Sequence, residues 1–119
     1  MVLIDTSVWI THFQENSKQL EQLLVKGEVV SHPFIIGELA CGNLKNWKEI
    51  LSLLKALPEG PFLDEDEFLY FVEKNNLPGQ GIGFVDIHIL ASAFIAGIPL
   101  WTYDKKLHKV ASDFNISFK

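Results

Sequence analysis

The chain has 119 residues, 48% of them hydrophobic and 12% aromatic, which is enough to pack a core without disulfides or a structural metal and excludes a disordered segment. A single cysteine, Cys41, rules out an internal disulfide and fits a reducing compartment. Ten lysines, no arginine and fifteen acids give a net charge of −5, which argues against binding nucleic acid through a broad basic face.

Val2-Leu3-Ile4 reads as a buried central strand, and Asp5 breaks the apolar run too early for a secretory signal. Thr6 and Ser7 are expected as N-caps of a helix through Val8, Trp9, Ile10 and Phe13. Asn16 with Gln19 predicts a second cap, before Leu20, Leu23 and Leu24, and Gly27 closes that helix. Residues 28–31 read as strand two. Pro33 starts a helix that Gly42 ends.

The spacing of Leu44, Trp47, Ile50, Leu51, Leu54 and Leu57 predicts an amphipathic helix stopped by Pro58. Pro61-Phe62-Leu63 is expected as a short strand, and Asp64 with Glu67 as the capping pair of a helix over 68–74. A Gly-rich loop, Pro78 to Gly83, leads into a helix over 85–96 that is apolar almost all round. It lacks the Gly-Lys-Ser/Thr ending of a phosphate loop and follows no strand. Residues 98–102 predict a fourth strand, 104–112 a short helix, and Ile116 with Phe118 a terminal strand. Strands alternating with helices predict an α/β domain over 1–119, a parallel sheet covered on both faces. No apolar stretch reaches the ~20 residues of a membrane span, so a cytoplasmic protein is expected.

Most acids sit in turns, on polar faces or at a helix start, as with residues 64–67. Four lie in apolar surroundings. Asp5 ends the first strand, Glu38 interrupts an apolar helix, Asp86 opens the most buried helix, and Asp104 follows Leu100-Trp101-Thr102-Tyr103. Capping accounts for Asp86 or Asp104 taken singly, and a helix edge for Glu38; Asp5 is harder to explain in that way. If the first and fourth strands pair, Asp5 and Asp104 emerge side by side at the carboxyl ends, where such sheets bind ligands.

Two carboxylates ~4 Å apart repel by roughly 4 kcal/mol at an effective dielectric near 20, so such a cluster must take up protons or a cation. An all-oxygen site suits Mg²⁺ or Mn²⁺, which activates water and reverses the charge a phosphodiester meets. Zinc is not expected, because the four histidines are dispersed. Thr6, Ser7 and Thr102 are placed to orient the acids, and Lys105, Lys106 and Lys109 to guide a phosphodiester backbone; capping and a solvated face are their plain alternatives. His88 is expected as a hydrogen-bonded packing residue, Cys41 as buried, and Trp9, Trp47 and Trp101 as core or dimer-contact aromatics.

Leu3-Ile4-Asp5-Thr6-Ser7, Ile36-Gly37-Glu38-Leu39, residues 81–92 around Val85-Asp86-Ile87, and Leu100-Trp101-Thr102-Tyr103-Asp104 together resemble the PIN-domain nucleases, and more narrowly the VapC-type toxins of toxin–antitoxin pairs. The resemblance spans essentially the whole chain. It implies a Rossmann-like three-layer α/β/α fold and Mg²⁺- or Mn²⁺-dependent RNA cleavage. It gives catalytic roles to Asp5, Glu38, Asp86 and Asp104, with the metal on Asp5, Asp86 and Asp104. It further implies a homodimer, inhibited by an antitoxin whose C-terminal segment covers the site. Two departures stand out: Lys106 occupies a position where many relatives carry a further acid, and no arginine lines the groove.

Other classes remain open. A phospho-receiver domain would use Asp64 as acceptor beside Thr102 and Lys105, and leaves Glu38 and Asp86 without a role. A catalytically silent dimerisation module would make the acids caps. A haloacid-type phosphatase needs an acid where Ser7 stands.

Overall fold

Three adjacent β-prone residues, buried in succession, can be satisfied only by a strand covered on both faces, because neighbouring side chains point to opposite sides. Val2, Leu3 and Ile4 are 5%, 0% and 0% exposed, and they form β1 (Val2–Ile4) at the centre of the sheet. The computed structural model describes residues 1–119. After β1 come α1 (Thr6–Glu15), α2 (Lys18–Val25), β2 (Val29–Val30), α3 (Pro33–Ala40) and α4 (Trp47–Lys55). Then follow α5 (Glu65–Lys74), α6 (Phe84–Ala96), β3 (Leu100–Trp101) and α7 (Lys105–Asp113).

The sheet is parallel in the order β2-β1-β3, with Leu3 opposite both Val30 and Leu100. Single bridges extend it on either side, Ser31 to Glu59 and Leu100 to Ser117. The architecture is the expected α/β/α sandwich. The core runs from β1 through Val8, Ile35 and Leu39 to the α6 residues Ile89, Leu90, Ala91 and Ala93.

Several local readings need correction. The N-cap of α1 is Asp5, and Thr6 and Ser7 lie inside the helix, where Ser7 is free for a tertiary contact. Asn16 is not an N-cap. At φ 56 it closes α1 in the left-handed conformation that asparagine tolerates, and Ser17 caps α2 by accepting from the Leu20 N–H. Residues 61–63 form no strand. The outer pairing falls instead on Glu59, where Ser31 N–H donates to Pro58 O and Gly60 N–H to Ser31 O. The strand over 98–102 is confined to Leu100–Trp101, so it is the third strand, and the terminal strand is one bridge at Ser117.

Gly60 is required by this outer pairing: a Cβ there would stand 2.3 Å from Ser92 Oγ and 3.2 Å from Leu3 Cδ1. The capping pair is present as read, with Asp64 Oδ1 accepting from Glu67 N and Glu67 Oε1 from Asp64 N. Asp64→Ala is expected to cost about 1 kcal/mol in urea unfolding, an exposed cap being worth ~0.5–2 kcal/mol.

Cys41 is exposed, not buried, because it is the C-cap of α3 and has left the packed face. Trp47 is 43% exposed and donates its indole N–H to Ala40 O at 2.9 Å, whereas Trp9 and Trp101 are buried. His88 packs as expected, but without the hydrogen bond: its ring stacks on Phe68 at 4.2 Å and meets Phe34 and Phe84 edge-on at 4.7 Å, while Nδ1 has no partner. No helix is long and apolar enough to cross a membrane.

Candidate active site

Because β1 and β3 are parallel neighbours, their carboxyl ends open onto the same edge, and the residues after them meet there. Asp5 follows β1 and is 5% exposed. An aspartate at an N-cap ordinarily accepts from the first helical amides, but Asp5 makes no side-chain cap bond. Its Oδ2 instead accepts from Ser7 Oγ at 2.8 Å and Thr102 Oγ1 at 2.7 Å. The hydroxyls are held in turn, since Tyr103 N–H donates to Ser7 Oγ and Asp104 N–H to Thr102 Oγ1, each at 3.0 Å. Two backbone amides of the segment after β3 thus orient two hydroxyls, which fix one carboxylate oxygen. Oδ1 of Asp5 accepts no hydrogen bond.

Asp104 does cap α7, its Oδ1 accepting from Leu107 N at 2.9 Å, so the capping explanation holds for it. That bond leaves Oδ2 uncommitted. Glu38, on α3, is tied to α1 by Thr6 Oγ1, which donates to Oε1 at 2.6 Å. Asp86 lies in the first turn of α6, after the Gly83 N-cap.

The field joins what the hydrogen bonds leave separate. The Asp86 carboxyl is pushed above its ordinary range, first by burial, then by the charges of Asp5 and Asp104, and least by Glu38; a backbone N–H of Gly83 pulls the other way. Acids from four separate segments therefore share one region. No three of them converge on a single point within ligand distance, so they meet as repelling neighbours.

The donors suit a hard cation. Every uncommitted group here is a carboxylate oxygen, and the nearby hydroxyls are spent on orientation. Of the soft and nitrogen donors, His32 and His88 lie in the aromatic cluster and His12 Nδ1 accepts from Ser17 N, while Cys41, the C-cap of α3, lines a surface pocket with Thr6 and Glu38, and His108 follows Asp104 by one turn of α7. Asp5, Glu38, Asp86 and Asp104 are the acids that share this region, and their free carboxylate oxygens are donors of the kind such an ion takes.

The lysines divide. Lys109 lies 3.6 Å from Asp113, one turn along α7. Lys105 and Lys106 occupy the first turn of that helix, and Lys106 lies against Gly81 of the Gly-rich loop, a contact that sequence spacing did not show. Asp64 is bound in its capping box with no strand end beside it, which removes the acceptor of a phospho-receiver.

The chain belongs to the PIN domain family, whose model matches residues 2–113. Among curated proteins it is 39% identical to Ribonuclease VapC32 of Mycobacterium tuberculosis over 118 residues, covering 98% of this chain and 95% of that protein. Ribonuclease VapC1 of Methanocaldococcus jannaschii is 28% identical over 118 residues, 97% of this chain and 84% of that protein. Among solved structures, PAE2754 from Pyrobaculum aerophilum superposes with a TM-score of 0.58 at 16% identity, over 96% of each chain, and supports the fold.

Proposed function

We propose that this protein is a metal-dependent endoribonuclease of the VapC type, the toxin of a toxin–antitoxin pair. The observation that carries the reading is the raised carboxyl of Asp86, perturbed by Asp5, Asp104 and Glu38 from three other segments. Structural acids are dispersed or paired; here Asp5 is buried, Asp86 half-buried and Glu38 and Asp104 exposed at the same edge, and four acids that repel one another with no arginine in the chain ask for a cation. The two VapC ribonucleases similar over nearly the full chain support the substrate class.

In this reading Asp5, Asp86 and Asp104 hold Mg²⁺ or Mn²⁺ and Glu38 acts beside them. The ion, when bound, supplies a water of lowered pKa and the positive charge that a phosphodiester meets in an acidic pocket. Thr6 fixes Oε1 of Glu38 and leaves Oε2 to take a proton. Ser7 and Thr102 fix Oδ2 of Asp5 and leave Oδ1 facing the site. Lys105, Lys106 and Lys109 guide the RNA backbone.

The protein acts in the cytoplasm as a homodimer, silenced by an antitoxin whose C-terminal segment covers the site. Two apolar surfaces support such partners: an aromatic face of Phe34, Phe62 and Phe84, and a groove lined by Trp9, Phe13, Ile50 and Leu53. The test is cleavage of total RNA by the purified protein with Mg²⁺ or Mn²⁺. Internal cuts that a chelator abolishes are expected; no cleavage with either metal, or cleavage that survives chelation, rejects the reading.

A further inference from the structure

The structure gives Lys106 a defined bed. It is the second residue of α7, two positions after Asp104. Its stem lies on Gly81, where an added Cβ would be 3.2 Å from Cδ, 3.4 Å from Cε and 3.0 Å from Nζ. Gly81 also has a φ of +80°, so the backbone favours glycine at this position, and the only atoms an added Cβ would crowd are those of the Lys106 stem. The contact ties the start of α7, which carries Asp104, to the loop that delivers Asp86.

Charge gives this contact a purpose. The one ion pair in the chain is Lys109 with Asp113, so no carboxylate lies within 4.0 Å of the Lys106 ammonium. A lysine beside acids that does not pair with them is available to another anion. The chain has no arginine to do this work, and four acids crowd the region where a phosphodiester must approach. A lysine normally loses much side-chain freedom on fixing an anion; a stem already laid on Gly81 has lost part of it.

We infer that Lys106, seated on Gly81, is a phosphate-positioning residue: it contacts a backbone phosphate of single-stranded RNA at the edge of the acid cluster. This rests on the endoribonuclease reading. It adds a division of labour in which the acids hold the metal and Lys106 holds the strand.

The test separates the two. Cleavage by the wild-type protein decides the nuclease reading. The lysine is tested by fluorescence anisotropy of a labelled RNA oligonucleotide over a salt series, in an Asp5→Asn background that leaves the strand intact. Adding Lys106→Ala is expected to weaken binding roughly tenfold, the loss of one charged contact. The slope of log K against log salt should become shallower by about 0.7, the value for one phosphate contact on a single strand. Lys106→Arg should keep the slope. Lys26→Ala, at the far edge of the sheet before Gly27, is the control. An unchanged affinity and slope in Lys106→Ala, or an equal change in Lys26→Ala, overturns the inference even if the wild type cuts RNA.

Discussion

Replacing Asp5 by asparagine is expected to lower metal-dependent RNA cleavage by at least about a hundredfold, more than the loss of a residue that merely orients a metal ligand. The fold should survive. Asparagine keeps the volume and a carbonyl oxygen for the hydroxyls of Ser7 and Thr102, so the buried network after β1 and β3 stays paired. What disappears is a full negative charge beside Asp86, whose carboxyl should relax toward its ordinary range once one of its repelling neighbours is gone. Without metal the variant should therefore be at least as stable as the wild type.

With metal the order should reverse. A ligand at a hundred times its Kd stabilises the folded state by about 2.7 kcal/mol, a gain that Asp5→Asn should largely forfeit. Melting curves with and without Mg²⁺ read this directly. Equal Mg²⁺ shifts in the two proteins, or equal cleavage, would mean that Asp5 is only a structural acid.

The second large effect is the loss of stability in mild acid, and it originates at His32. This side chain is fully buried; its Nδ1 accepts from Phe34 N at 3.0 Å to cap α3, and Nε2 has no partner. Burial first, and the neighbouring His88 second, lower its pKa from 6.5 to about 4. The sign follows from proton counting. Between those pH values the unfolded chain binds a proton that the folded chain refuses, so stability is full above about pH 6.5 and falls as the pH drops toward 4. One proton over that interval amounts to roughly 3 kcal/mol, a large share of a domain's ~5–15 kcal/mol.

Protonation would also take the acceptor from the α3 cap, so the loss is local as well as global. Urea unfolding at pH 7, 6 and 5 should show the decline. His32→Asn, which keeps a capping acceptor and cannot titrate, should flatten it at some cost in core packing. A wild-type stability that is level across this range would show that the ring is charged in the fold.

The acids were legible in the sequence because charge in an apolar run is costly enough to need a reason, and β1 and β3 supply it by pairing in parallel. The strand after Ile98 was legible as a strand but not in its length, since two paired residues suffice when both are buried in the centre. Pro61-Phe62-Leu63 looks like a strand by composition, yet the pairing partner of Ser31 is Glu59, because Pro58 and Gly60 supply the backbone groups that Ser31 bonds. Asn16 and Ser17 are both capping residues, and only the left-handed φ of Asn16 shows which helix each serves. The role of Asp5 as a cap in position but not in bonding depends on Thr102, 97 residues away, and no local pattern encodes it. Lys106 and Gly81 are likewise joined only through the packing of α7 on the loop before α6.

That 97-residue separation has a consequence for the order in which the site is assembled. Asp5 emerges first in synthesis with Ser7 close behind, but the Thr102 hydroxyl and the amides that hold both hydroxyls come from the segment between β3 and α7. A chain that has made β1, β2 and α3 already carries Asp5 and Glu38, yet has only an unanchored Ser7 to aim Asp5 and no Asp86 or Asp104 beside it. The sheet's central strand waits for a neighbour from near the other end of the sequence. The complete acid cluster is thus withheld from partial chains by topology alone, and it forms in the same step that completes the fold.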